Sequence, residues 1–218
     1  MMFPKKVFAL SVILLLSSCA SFQTGSQILA GRRALITNNP EQALVYFQQA
    51  AQTDPNYLYT SGLYREGVWT YLGRAQYAMG KLEDARQSFE RALSVYKDDY
   101  LARLYLGLTL LRSGDQARGL QELEAGLKGL YDWLEYMNYS RPHEAFWDPR
   151  RQIRSEIEKT LAMISGRDTN LQKLIESAEW IGMEMEKEID RVRQDEKRFY
   201  DRQFERERGL SVGVGIGF

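Results

Sequence analysis

Residues 69–92 read WTYLGRAQYAMGKLEDARQSFERA, and the placing of small and large residues in this stretch decides the fold. Trp69, Leu72, Gly73, Gly80, Ala85, Phe89 and Ala92 fall at helical spacing on the two sides of Gly80. Small residues let two antiparallel helices approach closely, and the large ones fill the seam. The pattern returns 34 positions later as Leu106, Gly107, Gly114, Gly119, Leu123 and Gly126. Glycine stands there where alanine stood before, yet Leu106-Gly107 and Ser113-Gly114-Asp115 keep the helix and turn signals. Upstream, Ala43, Phe47, Ala50 and Pro55 supply the second helix and closing proline of an earlier copy. Its first helix is expected from about residue 24 to Ile36, with Asn38-Asn39-Pro40 as the turn. Self-similarity at a fixed period marks a stacked-repeat architecture.

The pattern resembles the tetratricopeptide repeat, in copies at about 24–57, 66–99 and 100–133. Three copies are about the minimum that stacks stably. Ala43 and Ala85 stand 42 residues apart, so about eight are inserted; Leu58–Arg65 is the expected insert, lengthening the helix after Pro55. The resemblance implies an α-solenoid whose first helices line a concave groove for a peptide or partner helix. Carried over position by position, that groove takes Ile28, Arg32 and Ile36 from the first copy. Thr70, Arg74 and Tyr77 follow from the second, with Tyr71 beside them, and Leu104, Leu108 and Arg112 from the third. These are not the Lys/Asn carboxylate clamp of chaperone-binding repeats. Arg74 between Tyr71 and Tyr77 offers a planar donor beside aromatic surface. The alternative is that the aromatics pack the repeats and the arginines are merely solvated.

Residues 134–149 form an aromatic joint, entered through Tyr131 and Trp133 and carrying Tyr136, Tyr139, Phe146 and Trp147. Its expected role is to cover the apolar end of the solenoid, the alternative being a partner or peptidoglycan-facing surface. Pro142 interrupts the helix, and Asp148-Pro149 reads as an N-cap with proline at the first helical position. Residues 150–208 then read as a helical hairpin or long helix. Ile153, Ile157, Leu161 and Ile164 form one stripe, ending at Ser165-Gly166. A further helix is expected from Asp168 or Thr169 to about Arg208, with the stripe Leu171, Leu174, Ala178, Ile181, Met185 and Val192 broken by one gap. Phe199, Tyr200 and Phe204 follow among dense opposite charges, on a solvated helix or a docking arm.

The tail, 209–218, changes period. Leu210, Val212, Val214, Ile216 and Phe218 alternate with Ser211, Gly213, Gly215 and Gly217, a strand signal. A lone strand cannot satisfy its own backbone. The tail is therefore expected either to add to the sheet of a β-rich partner or to stay disordered, since four glycines are costly to order. It also resembles the C-terminal signal of outer-membrane β-barrels.

At the other end, Lys5 and Lys6 precede an apolar run, Val7 to Leu16, too short to span a bilayer. Leu16-Ser17-Ser18-Cys19 resembles a bacterial lipobox. That resemblance implies a signal peptide over residues 1–18, with Cys19 carrying the lipid at the start of the mature protein. Each buried CH₂ of such an anchor contributes about 0.8 kcal/mol. Ala20, in place of aspartate, resembles the outer-membrane sorting pattern of Gram-negative lipoproteins.

The chain has 29 basic and 29 acidic residues; loss of Lys5 and Lys6 makes that 27 against 29, with no nucleic-acid footprint. Cys19 is the one cysteine and His143 the one histidine, so neither a disulfide nor a zinc site is expected. No phosphate loop or nucleophile elbow occurs, which predicts a protein that is not an enzyme and takes no cofactor or small-molecule substrate. The expected fold is all-α: an α-solenoid followed by C-terminal helices, with a short strand-like or disordered tail. The resemblances together imply a lipid-anchored periplasmic scaffold, facing the periplasm from the outer membrane, that assists assembly or stability of an envelope complex. Its partner would be an envelope protein such as a β-barrel or secretin. The alternatives are a structural component of a secretion, pilus or polysaccharide-export complex, or an adaptor recruiting cell-wall hydrolases.

Overall fold

Each of the first three helix pairs turns on one residue with left-handed backbone. Asn38 (φ 57°), Gly80 (φ 72°) and Gly114 (φ 90°) occupy corresponding turns. Glycine and asparagine reach that conformation at least cost. The computed structural model describes residues 22–61, 63–140, 147–166 and 170–213, with no side-chain surroundings for Ser140 or residues 206–213. The helices are α1 (22–36), α2 (Pro40–Thr53), α3 (Val68–Ala78), α4 (Leu82–Val95), α5 (Tyr100–Arg112), α6 (Gln116–Ser140), α7 (Gln152–Ser165) and α8 (Leu171–Gly213). Strands β1 (Leu58–Ser61) and β2 (Tyr64–Gly67) form a two-stranded sheet. The all-α reading therefore holds, with this one small sheet added.

The chain divides into two compact units. One holds the residues up to Thr60 with Arg65–Gly129; the other holds Ser61–Tyr64 with the residues from Leu130 onward. In the first unit each helix packs on its neighbour in sequence, α2 on α3, α3 on α4 and α4 on α5, and α3 also meets α5. Three glycines set the closeness of the pairs. A Cβ at Gly31 would stand 2.3 Å from the Phe47 ring, and one at Gly73 2.6 Å from the Phe89 ring. A Cβ at Gly107 would stand 2.5 Å from the backbone nitrogen of Leu123. In every copy the glycine and the residue that it admits are 16 positions apart. Phe47 and Phe89 are wholly buried, each stabilising the array by roughly 1.5–3 kcal/mol.

Gly107→Ala tests this closeness. Alanine inside a helix gains about 1 kcal/mol over glycine, but here its methyl meets backbone, which cannot rotate aside as a ring can. Overpacking costs about 1–3 kcal/mol, and contact with backbone places this case in the upper half of that range, so a net loss of about 1–2 kcal/mol is expected in urea denaturation. A variant as stable as the parent would mean that α5 and α6 move apart freely.

The insert between the first two copies corrects one expectation. Leu58–Arg65 does not lengthen a helix; it builds β1 and the start of β2. The stretch Leu-Tyr-Thr-Ser is rich in residues that suit a pleated half-buried surface, and Tyr59 and Ser61 point inward while Thr60 is exposed. A second strand close in sequence satisfies the backbone that a lone strand would leave open.

The second unit is built on Trp147, which is fully buried. Its ring meets Trp133 edge-on with centroids 4.7 Å apart, and Tyr64 lies 5.4 Å from Trp133 and 5.7 Å from Trp147. The first half of the expected joint is helical, since α6 continues to Ser140. Tyr136 and Tyr139 are exposed on it. Pro142, His143 and Phe146 lie outside the described residues. Helix α7 begins at Gln152, not at Pro149, and Arg151 is its N-cap with φ 55°. Asp148 still supplies the capping carboxylate from further back, accepting from Ile153 N at 3.1 Å and Arg154 N at 3.0 Å. A turn closed by Arg151 N on Asp148 O (2.9 Å) makes that reach possible.

Helices α7 and α8 pack together as a hairpin. Leu174, Ala178, Ile181, Met185 and Val192 are wholly buried, and Ile189 fills the gap left in the sequence stripe. Asp168 and Thr169 lie outside the described residues. The tail reading also needs correction. Helix α8 runs to Gly213, so Leu210 and Val212 stand on helical backbone rather than on a strand. Extending an existing helix adds a hydrogen bond per residue fixed without a new nucleus. Val214, Ile216 and Phe218 lie outside the described residues.

Candidate interaction surfaces

Most of the residues assigned to the concave groove are spent on the interior. Arg32, Thr70, Tyr71, Arg74, Tyr77 and Leu108 are all buried, as are Ile28 and Leu104; Arg112 and Ile36 remain exposed. Tyr71 stacks on Phe47 with centroids 5.4 Å apart, and Tyr77 meets Tyr105 edge-on at 5.6 Å. The Arg112 guanidinium covers the Tyr77 ring at 4.8 Å.

Side chains from β1 and β2 answer the two buried arginines. Arg32 Nη1 donates to the Tyr59 hydroxyl at 3.0 Å, and the Tyr59 ring stands edge-on to Tyr71 at 6.1 Å. Arg74 Nη1 pairs with Glu66 Oε1 at 3.0 Å, both groups being buried. The Tyr105 ring lies 5.3 Å from the Arg74 guanidinium. Arg32 and Arg74 therefore meet an internal phenol and an internal carboxylate, where the groove reading expected them to meet a partner.

Asp99 ties the second and third copies. Its carboxylate accepts from Gly67 N (2.8 Å), Thr70 Oγ1 (2.7 Å) and Ala102 N (2.9 Å), so it caps α5 and holds the start of α3. Burial pushes this carboxyl up, against three donors that favour its ionised form. Sequence reasoning missed Tyr59, Glu66 and Asp99. The in-out alternation of residues 58–67 was the available signal for the first two, and an aspartate just ahead of an apolar helix for the third.

A tetratricopeptide-repeat family model matches residues 34–99, and a second matches residues 72–131. Residues 34–131 resemble tetratricopeptide repeats. No curated protein matches the chain. The two matched spans run from the end of α1 into α6, and the positions shared by the three helix pairs lie within or beside them. Tetratricopeptide repeats support a protein–protein interaction scaffold. Between α3 and α4, Trp69, Gln76, Asp84, Gln87 and Arg91 line a cleft of about 270 Å³. Arg91 stands 3.8 Å over the Trp69 ring, and Trp69 Nε1 donates to Pro55 O at 2.6 Å. That face of the indole is covered by the protein's own guanidinium.

One exposed apolar surface lies elsewhere. Past Val192 the side chains of α8 are mostly exposed, and Phe199, Tyr200 and Phe204 are 43%, 63% and 56% exposed. Around them run Arg191 with Glu188 and with Asp195 (2.8 Å), and Arg198 with Asp195 (3.7 Å). Cys19 lies outside the described residues.

Proposed function

We propose that this protein is a lipid-anchored scaffold of the bacterial envelope, held through Cys19 at the outer membrane and facing the periplasm. In this reading it helps assemble or stabilise an envelope complex. The lipobox-like run Leu16-Ser17-Ser18-Cys19 supports the anchor, and the tetratricopeptide repeats support the scaffold role. Partner binding falls to the far part of α8 rather than to the concave side of the repeats. One observation carries that choice: most groove side chains are buried, with Arg32 against Tyr59 and Arg74 against Glu66, while Phe199, Tyr200 and Phe204 are exposed. Aromatic side chains presented on a rigid helix are efficient anchors, because little conformational freedom is lost when they bind.

The test is quantitative cross-linking in the native host's envelope, comparing the parent, the Phe199→Ser/Tyr200→Ser/Phe204→Ser variant and Cys19→Ser. The triple variant is expected to lose its principal cross-linked partner while staying folded and membrane-bound. Cys19→Ser is expected to leave the membrane fraction. Should the triple variant keep every partner, and Arg112→Glu lose one, the concave side is the binding surface. Co-purification of an amidase or peptidase, independent of α8, would favour the adaptor reading.

A further inference from the structure

Helix α1 leaves one apolar line unburied. Phe22, Leu29 and Ile36 are 82%, 39% and 48% exposed. They stand seven residues apart, about 20° from one another around a helix for each step, so they form one stripe about 21 Å long. Ser26 and Arg33 are exposed between them, while Thr24, Ile28, Arg32 and Ala34 are buried on the other side. From Cys19 to Ile36 there is no acidic residue, and Arg33 is the exposed charge of the helix. Terminal helices of repeat arrays usually carry a polar outer face. This one does not.

We infer that the outer face of α1 lies on the lipid bilayer itself, as an in-plane apolar stripe working beside the acyl anchor. The inference rests on the lipidation reading and takes it further. Three chain steps lead from Cys19 to Phe22, the first residue of the described helix. Fully extended, they span roughly 10 Å, so acylation of Cys19 brings the start of α1 to the headgroup layer. A helix held there with one apolar line, no acid and an arginine matches the composition of interfacial helices on anionic membranes. The repeats then sit on the bilayer without a spacer.

The test uses the full lipidated chain in vesicles of phosphatidylethanolamine with phosphatidylglycerol as the minor lipid. Because Cys19 is the one native cysteine and its thiol is consumed by the thioether bond to diacylglycerol, Leu29→Cys, Ile36→Cys and Ser94→Cys each offer a single free thiol for an environment-sensitive dye. Dye at positions 29 and 36 is expected to shift to the blue, brighten about twofold or more, and be quenched by brominated acyl chains. Dye at position 94, exposed on α4, is expected to stay in water. Equal, unshifted emission at all three positions overturns the inference. A shift that lipid quenchers do not touch, and that fades as protein is diluted in lipid, also overturns it and assigns the stripe to a second copy. The mass of the N-terminal fragment is read separately. With Cys19 acylated, an unshifted dye rejects only the bilayer contact; with Cys19 bare, the anchor reading and this inference fall together.

Discussion

Asp148→Ala is expected to unfold α7 locally and cost the second unit about 3–5 kcal/mol, the usual loss when one partner of a buried ion pair is removed. The carboxylate is 4% exposed and accepts from two backbone nitrogens of α7 and from Arg154 Nε at 3.0 Å. Arg154 is buried too, and its other contacts are Asp148 O at 2.7 Å and Glu135 at 2.7 Å. Asp148 N in turn donates to Glu188 on α8. Alanine would therefore release the start of α7 while leaving a guanidinium inside. It would also have to hold φ 43°, which aspartate and asparagine tolerate better. Asp148→Asn keeps the shape, the backbone conformation and one acceptor, so a loss of about half that size is expected. Hydrogen exchange of α7 amides reads the effect directly. Unchanged protection in the alanine variant would show that the start of α7 is held by packing alone.

Glu66→Ala is expected to destabilise the first unit by a similar amount, about 3–5 kcal/mol, because it takes the carboxylate from the buried Arg74. The neighbouring Tyr105 ring recovers part of that loss through its π face, on the order of 1 kcal/mol. Replacing both partners with apolar residues, as Glu66→Leu with Arg74→Met, is expected to restore stability to near that of the parent, since two charges then need not leave water. The double-mutant cycle is read by urea denaturation followed by circular dichroism. A double variant as unstable as Glu66→Ala would mean that the site needs charge for a reason other than pairing.

The helix pairs were readable in the sequence because repetition exposes them. Gly73 with Phe89 and Gly107 with Leu123 keep their spacing, so packing that is local in sequence leaves a periodic mark. The end of α7 at Gly166 and the inner stripe of α8 were readable for the same reason, since helical periodicity reports which face is covered. What covers a face is not local information. Arg32 and Arg74 were correctly placed on the first helices of their repeats, yet their partners Tyr59 and Glu66 come from strands β1 and β2, which repetition cannot predict. Four residues such as Leu58–Ser61 are too few to distinguish strand from helix by period. Asp148 was recognised as a cap, but its true helix starts a turn later, because Arg151 adopts left-handed backbone.

The small sheet also changes what a ligand of the concave side would have to do. Tyr59 and Glu66 are covalently part of the chain whose arginines they engage, so they compete at an effective concentration that does not fall on dilution, on the order of millimolar or above for a short tether. A free peptide meets open arginines only in the fraction of molecules whose insert has lifted away. Its apparent dissociation constant is the intrinsic one divided by that fraction. With one molecule in a hundred open, an intrinsically micromolar ligand would register at about 100 μM.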